Sequence, residues 1–143
     1  MTALDILVNN AGISRHGGVE STTLESLRSV MAVNHDALFL GMKHCLPALS
    51  ESVNRFDDGG AIINNLSMAT YMPNPRNLGY AVSKAAGRML TLCAAEEFGP
   101  RRIRVNSVHP CVTMTPLMEE GFEGYVRSGR WADRESGEAE LIE

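Results

Sequence analysis

Apolar residues recur along the chain with two different periods, and each period predicts a different kind of element. Short apolar runs rich in β-forming residues, each ended by turn-forming residues, predict buried strands at 4–8, 61–67 and 102–110. Apolar residues spaced by three and four predict helices over about 24–52 and 78–98. The predicted order is strand, helix, strand, helix, strand, followed by a more polar tail in which two short helices are expected.

Local signals set the expected bounds of the two long helices. Thr22 and Glu25 have the spacing of a capping box, which predicts the start of the first helix. Pro47 lacks a backbone N–H and is therefore expected to kink or end the last part of that helix. Gly99 and Pro100 are expected to stop the second helix.

The alternation of elements predicts an α/β fold, in which helices flank a Rossmann-like parallel sheet. Parallel neighbouring strands need helical crossovers, and the two long helices can supply them. Ligands of such sheets bind beyond the carboxyl ends of the strands. Residues 9–12 (NNAG), Ser67 and Pro110 lie at these ends, so a binding site is expected where they meet.

Composition and charge limit the expected partners and location. The 143 residues carry a net charge of −4 without a basic stripe, so neither nucleic acid nor an anionic membrane is an expected partner. No apolar run approaches the ~18 residues of a membrane span, and no signal-peptide pattern is visible. The three cysteines form no C-x-x-C pair and the four histidines have no metal-ligand spacing. We therefore expect a cytoplasmic protein with free thiols and no metal site.

Tyr80 and Lys84, in the segment YAVSK, are candidates for proton transfer. At positions i and i+4 of a helix, their side chains share one face. A nearby ammonium favours the phenolate, so Lys84 is expected to lower the pKa of Tyr80 from its ordinary value near ~10. The pair could then exchange a proton with a substrate oxygen. On this spacing alone, an ordinary amphipathic helix bearing a tyrosine is the more common explanation.

Two further polar residues could join this pair. Ser67 ends the second predicted strand, thirteen positions before Tyr80, and its hydroxyl could bond the same substrate oxygen. Taken alone, a serine that caps a turn is the more common case there. Asn34 interrupts the first long helical stretch, and asparagine is a poor helix former because its side chain competes for backbone hydrogen bonds. It marks either a break whose freed carbonyl holds a water or a tolerated surface position.

Taken together, these motifs resemble those of the short-chain dehydrogenase/reductase family. LVNNAG, the VN at Asn34, Ser67, YAVSK, and RVNSVHP with its following T-x-T-P match in order and approximate spacing over about residues 4–117. The resemblance implies that Tyr80 is the catalytic acid–base and that Lys84 lowers its pKa and hydrogen-bonds the nicotinamide ribose. It also implies that Ser67 orients and polarises the substrate carbonyl or alcohol, and that Asn34 holds the water of a proton relay to Lys84.

The resemblance further implies NAD or NADP as the cofactor, with NAD slightly favoured. The implied contacts are Asn10, Ala11, Gly12, Tyr80, Lys84, Pro110, Val112 and Thr115. The first three would line the adenosine side and tie strands together, and the last three would contact the nicotinamide and pyrophosphate region. Cys111 stands where the family usually has a glycine after the proline, which brings a Cβ towards the cofactor.

One family feature is absent from the sequence, the glycine-rich turn G-x-x-x-G-x-G that seats the cofactor pyrophosphate at a helix N-terminus. We therefore expect residues 1–143 to form a single partial domain, the C-terminal half of a doubly wound fold. Residues 1–110 would form its core and residues 111–143 a substrate lid. The strand at 4–8 would be an open apolar edge prone to self-association.

Two functions remain open at this point. One is an NAD(P)-dependent oxidoreductase that interconverts a small secondary alcohol and a ketone, with a hydrophobic, cyclic or steroid-like substrate, and forms a homo-oligomer, either a dimer or a tetramer. The other is a truncated, inactive chain that at most pairs with an intact paralogue through its helices. Six apolar tail residues either line the substrate lid or pack it onto the core: Met114, Leu117, Met118, Phe122, Tyr125 and Trp131.

Overall fold

The computed structural model describes residues 4–142, which contain three strands and five α-helices. They fall into two compact units, Met1–Pro110 and Cys111–Glu143. In chain order the elements are β1 (Ile6–Asn9), α1 (Leu24–Met31), a π-helical segment (Ala32–Asp36), α2 (Ala37–Ser50), β2 (Gly60–Asn65), α3 (Leu78–Phe98), β3 (Ile103–Val108), α4 (Pro116–Arg127) and α5 (Arg134–Ile142). Short 3₁₀ turns lie at Glu51–Asn54, Met68–Thr70 and Gly99–Arg101.

The three strands form one parallel sheet in the order β1-β2-β3. The register aligns Asn9 with Asn64 and Asn64 with Ser107, so the carboxyl ends of all three strands meet at one edge of the sheet. The predicted α/β class with a Rossmann-like parallel sheet is therefore confirmed. Each strand is shorter than its apolar run, because Ser67 and Pro110 lie in the loops that follow β2 and β3.

The core of the first unit lies between the sheet and the two long helices. Buried side chains come from α2, β2, α3 and β3, and the cluster comprises Met42, Leu49, Ile62, Ala94, Phe98, Ile103 and Val105. Burial in β2 alternates strictly along the strand, as expected for a sheet with one well-covered face. In β1, Leu7 packs against this core, whereas Ile6 and Val8 are 58% and 55% exposed. The edge strand β1 therefore presents apolar side chains to solvent.

The first helix begins one residue later than its capping-box spacing predicts. The N-cap is Thr23, whose hydroxyl oxygen accepts from the backbone N–H of Ser26 at 3.1 Å. Thr22 instead belongs to the preceding turn, since its own N–H donates to Gly18 O at 3.0 Å. The predicted pairing of Thr22 with Glu25 is therefore wrong.

Pro47 does not end or interrupt the helix that contains it. Helix α2 continues for three more residues to Ser50, and a 3₁₀ turn follows. A proline inside a helix removes one backbone hydrogen bond. The turn that follows Pro47 nevertheless buries Leu49 completely in the core.

The second unit has its own small core. Phe122, Tyr125 and Trp131 pack on one another, with ring centroids 5.0–5.1 Å apart for the two pairs that involve Trp131. The indole N–H of Trp131 donates to Glu140 Oε2 at 2.6 Å. The two short helices predicted for the tail are present, and this aromatic cluster packs within their unit.

Candidate active site

Ser67 and Tyr80 meet beyond the carboxyl end of β2. Ser67 is the N-cap of the 3₁₀ turn Met68–Thr70, and its hydroxyl oxygen accepts from the N–H of Ala69 at 3.1 Å. The Ser67 side chain also lies close enough to the Tyr80 phenol to lower its pKa. Because the cap already uses an acceptor position of the Ser67 hydroxyl, its proton is available to donate to Tyr80. The two hydroxyls can thus converge on one substrate oxygen.

The close approach of α3 to this strand end depends on a small residue. A Cβ built on Gly87 would lie 2.9 Å from Leu66 Cδ2, closer than real contacts allow. Glycine at this position therefore lets α3 pack directly beside the residue that precedes Ser67. Tyr80 and Lys84 lie in the first two turns of the same helix.

Lys84 is buried beside this pair, with only 4% of its surface exposed. Its Nζ lies 5.5 Å from the centroid of the Tyr80 ring and donates to the main-chain oxygen of Asn65 at 2.8 Å. Burial lowers the pKa of Lys84 to about 8, because the charged form loses its hydration. The spacing of YAVSK therefore places a tyrosine and a lysine together at the strand end, as predicted.

The pKa of Tyr80 is shifted in the direction opposite to the expectation. Burial raises the pKa of the phenol, and the hydrogen bond from Ser67 opposes this shift only in part. The ammonium of Lys84 donates to a backbone carbonyl rather than to the phenol. Desolvation of the phenolate therefore outweighs its attraction to the lysine in this structure.

The buried lysine predicts a rise in stability with pH. The unfolded chain holds the Lys84 proton up to the ordinary pKa of 10.5, whereas the folded chain begins to lose it near pH 8. Between these values the unfolded state binds more protons, so the free energy of unfolding increases as the pH rises. The raised pKa of Tyr80 reverses this trend above its ordinary value of 10.0, which limits the window to about pH 8–10.

We expect a gain of about 2 kcal/mol in the free energy of unfolding across this window, measured by urea denaturation at each pH. The matched variant Lys84→Met keeps an unbranched side chain without the charge, and it should show a much flatter profile. An equally steep rise in Lys84→Met would contradict the assignment.

Asn34 is fully buried within the π-helical segment Ala32–Asp36. Its amide oxygen accepts from the N–H of Ile13 at 2.8 Å, and its amide nitrogen donates to Ile13 O at 2.9 Å and to Ser83 Oγ at 3.0 Å. The expected helix irregularity is present, and a tolerated surface position is ruled out. The side chain fixes the loop after β1 to helix α3, one residue before Lys84.

The loop after β1 brings Gly12 against the same side chains. A Cβ built on Gly12 would lie 3.6 Å from Lys84 Nζ and 3.7 Å from Asn34 Oδ1. Asn10 Oδ1 accepts from the side-chain amide of Asn65 at 2.6 Å, which links the ends of β1 and β2. Ala11, which follows Asn10, is exposed. Of the sequence-predicted residues of this loop, Gly12 thus lies next to Lys84, and Asn10 bonds the residue whose main-chain oxygen accepts from Lys84.

The remaining predicted contacts divide between the two units. Pro110 ends the first unit, and its carbonyl oxygen accepts from the N–H of Met68 at 3.0 Å, next to Ser67. Val112 and Thr115 belong to the second unit, in which Val112 is exposed and Thr115 is the N-cap of α4.

Sequence reasoning missed a buried polar network under the site. Asn64, fully buried in β2, accepts from Asn9 Nδ2 at 2.8 Å and donates to Thr91 Oγ1 at 3.0 Å. The network joins β1, β2 and α3 directly below the residues discussed above. Two consecutive asparagines in an otherwise apolar strand were the available signal, because a buried polar side chain needs such partners.

The described residues contain neither a cluster of metal-ligating side chains nor a helix that could span a membrane. No group of three or more His, Cys, Asp or Glu side chains within residues 4–142 is placed to hold a metal ion. None of the helices in this part of the chain is long and apolar enough to cross a membrane.

Comparison with known proteins gives consistent matches. The family model described as "short chain dehydrogenase" matches residues 1–125. The trans-4-hydroxycyclohexanecarboxylate dehydrogenase of Sinomonas cyclohexanicum is 38% identical over 133 residues, which cover 91% of this chain and 49% of that protein. The 3-beta-hydroxysteroid dehydrogenase of Comamonas testosteroni is 37% identical over 118 residues, which cover 81% of this chain and 44% of that protein.

Solved structures agree with the sequence matches. A gluconate 5-dehydrogenase from Burkholderia cenocepacia J2315, in complex with NADP and tartrate, superposes with a TM-score of 0.75 at 30% identity. The match covers 82% of this chain and 44% of that one. The chain therefore spans about half the length of the relatives it matches.

Proposed function

The chain belongs to the short-chain dehydrogenase family, and we propose that it carries the proton-transfer site of an NAD(P)-dependent oxidoreductase that interconverts a secondary alcohol and a ketone. The observation that carries the proposal is the grouping of Ser67, Tyr80 and Lys84 at the end of β2. Lys84 is buried there, and its Nζ lies 5.5 Å from the centroid of the Tyr80 ring. Two hydroxyls and an amine at the carboxyl end of a parallel strand can hold a substrate oxygen and move its proton.

Each side chain has a distinct task in this reaction. In the oxidation of an alcohol, Tyr80 Oη takes the hydroxyl proton, and in the reduction of a ketone it gives that proton back. Ser67 Oγ donates to the same substrate oxygen and holds it against Tyr80. A bound NAD(P) supplies the other half of the chemistry, since it takes or gives the hydride at the carbon that bears this oxygen.

The residues at this strand end fit the ribose part of such a cofactor. Lys84 Nζ has three N–H donors, and the bond to Asn65 O uses one of them. The others can serve the ribose hydroxyls of the cofactor. Gly12 leaves open the space beside Nζ that a side chain would fill. These contacts involve a part of the cofactor that NAD and NADP share, and we propose NAD as the first of the two to test.

For the substrate we propose a hydrophobic cyclic or steroid-like alcohol. Both sequence relatives described above carry the names of dehydrogenases for ring-bearing alcohols. In the second unit, Phe122, Tyr125 and Trp131 pack on one another and are buried, so these three serve packing rather than substrate contact.

We further propose that the protein acts in the cytoplasm as a homo-oligomer, a dimer or tetramer. Helices α2 and α3 carry exposed apolar side chains, which suit a hydrophobic contact between copies: Phe39, Leu40, Val82, Met89 and Leu92. Leu40→Glu combined with Leu92→Glu should shift the protein towards monomer in sedimentation velocity. Val19→Glu is a matched control, because Val19 is exposed outside both helices. An unchanged distribution in the double variant would contradict helix-mediated assembly.

A thermal melt of the purified chain with and without NADH and NADPH tests the proposed cofactor. A ligand that binds only the folded state raises the melting temperature. An upward shift with one cofactor would support the proposal and identify the preferred cofactor. Absence of a shift with both cofactors, together with absence of turnover, would favour the alternative of a chain that pairs with an intact relative without catalysis.

A further inference from the structure

His109 lies between the ends of β2 and β3, behind Ser67. Its Nε2 is 2.9 Å from Ser107 Oγ, and its Nδ1 is 3.2 Å from the main-chain oxygen of Ser67. The imidazole thus connects the last residues of β3 to Ser67, whose side chain lowers the pKa of Tyr80. The mechanism described above gives this histidine no task.

The contact of His109 continues a ladder of backbone bonds. Leu66 N donates to Val108 O at 2.9 Å, and Met68 N donates to Pro110 O at 3.0 Å. These two bonds flank Ser67 on either side. The carbonyl of Ser67 itself has only the local turn bond from Thr70 N, at 3.0 Å, as a backbone partner in the described residues. At Ser67, which lies between these two backbone bonds, the link to the β3 side is therefore made by the imidazole of His109.

The partners of the ring fix its tautomer. A carbonyl oxygen can only accept, so the Nδ1 atom that faces Ser67 O carries the proton. In the neutral ring Nε2 is then an acceptor, and the Ser107 hydroxyl donates to it. One ring face also packs on Tyr71, whose ring centroid is 5.0 Å away. These contacts hold the imidazole in a single orientation.

We propose that His109 is a positioning residue that holds the main chain of Ser67, so that the Ser67 hydroxyl points at Tyr80. The proposal rests on the proposed function for its catalytic meaning, since positioning of Ser67 affects the rate only if Ser67 and Tyr80 act on a substrate. Its structural part does not depend on activity. Loss of the Nδ1–H bond frees the Ser67 carbonyl to move, and the bond from Ser67 to Tyr80 weakens with it.

The phenol of Tyr80 reports this bond directly. The hydrogen bond from Ser67 lowers the pKa of Tyr80, against the effect of burial. In protein labelled with ¹³C at tyrosine Cζ, the Tyr80 signal is assigned by its absence in Tyr80→Phe. We expect both Ser67→Ala and His109→Leu to raise the pKa of Tyr80 further. His109→Asn should keep it near the wild-type value, because the asparagine amide can donate to Ser67 O from the place of Nδ1.

Two more variants make the comparison specific. Ser107→Ala removes only the partner of Nε2 and should move the pKa of Tyr80 in the same direction by a smaller amount. It replaces His109→Leu if that variant does not fold. His44→Leu is the matched control, because His44 is an exposed imidazole on α2, and it should leave the Tyr80 titration unchanged.

Turnover gives the second readout. His109→Leu should lower kcat about tenfold with little change in the cofactor dissociation constant, and His109→Asn should recover most of the loss. If the wild-type protein shows no turnover, the proposed function fails. The titration of the Tyr80 phenol then still tests whether His109 positions Ser67. A Tyr80 titration that moves in Ser67→Ala but not in His109→Leu or Ser107→Ala would overturn the proposal. An unchanged titration in Ser67→Ala would overturn it as well.

Discussion

Replacing Tyr80 with phenylalanine is expected to abolish turnover and leave cofactor binding nearly intact. The substitution removes one oxygen from a half-buried ring, so we expect the packing of α3 to stay the same and only the proton donor and acceptor to be lost. General acid–base catalysis by a positioned side chain contributes about 10²–10⁴-fold, which sets the expected loss in kcat. Steady-state kinetics and a cofactor fluorescence titration measure the two quantities separately.

Tyr71→Phe is the matched control for this experiment. Tyr71 also carries a hydroxyl near the site, but that hydroxyl accepts from Arg88 Nε at 3.1 Å rather than from Ser67. We expect its removal to change kcat less than about threefold, as for an exposed polar contact. If Tyr80→Phe retained turnover near that of Tyr71→Phe, the acid–base assignment would be refuted.

Lys84→Ala is expected to weaken both turnover and cofactor binding. The amine is buried and donates to Asn65 O, so the truncation removes a charged donor, leaves a carbonyl without its partner and opens a cavity. Loss of a charge-assisted hydrogen bond to the cofactor ribose should raise its dissociation constant by about 10–100-fold. Isothermal titration with NAD and NADP measures this change.

Lys43→Ala separates the effect of position from that of charge. Lys43 is exposed on α2, where its Nζ lies 5.5 Å from the ring centroid of Phe39. Its removal changes the net charge by the same amount and should leave cofactor affinity unchanged. If Lys84→Ala and wild type bound the cofactor with equal affinity, the proposed contact between Lys84 and the cofactor ribose would be contradicted.

Much of the site follows from spacing along the chain. The i and i+4 positions of Tyr80 and Lys84 place both side chains on one face of α3. The parallel sheet brings Ser67 and Pro110 to the same edge, because both follow strand ends in neighbouring strands. These positions depend only on the type and order of the helices and strands, and the spacing of apolar residues along the chain predicts both well.

Properties that depend on packing could not be derived in the same way. The direction of the Tyr80 pKa shift depends on how much water α3 and the loops exclude, and no spacing contains that information. Asn34 was identified as a helix irregularity, yet its three hydrogen bonds to Ile13 and Ser83 required the fold. The helix start at Thr23 likewise depends on the turn that already holds Thr22.

The π-helical segment at Ala32–Asp36 has a consequence for insertions and deletions. A single π turn is an α-helix with one extra residue, and the helical phase on either side of it is the same as if that residue were absent. Deletion of one residue from this segment would therefore leave Val30 and Leu38 facing the same core. Deletion of one residue inside α2 would instead rotate everything beyond it by about 100° and turn Leu49 outwards. A deletion that removed Asn34 itself would keep this helical phase but lose its hydrogen bonds to Ile13 and Ser83.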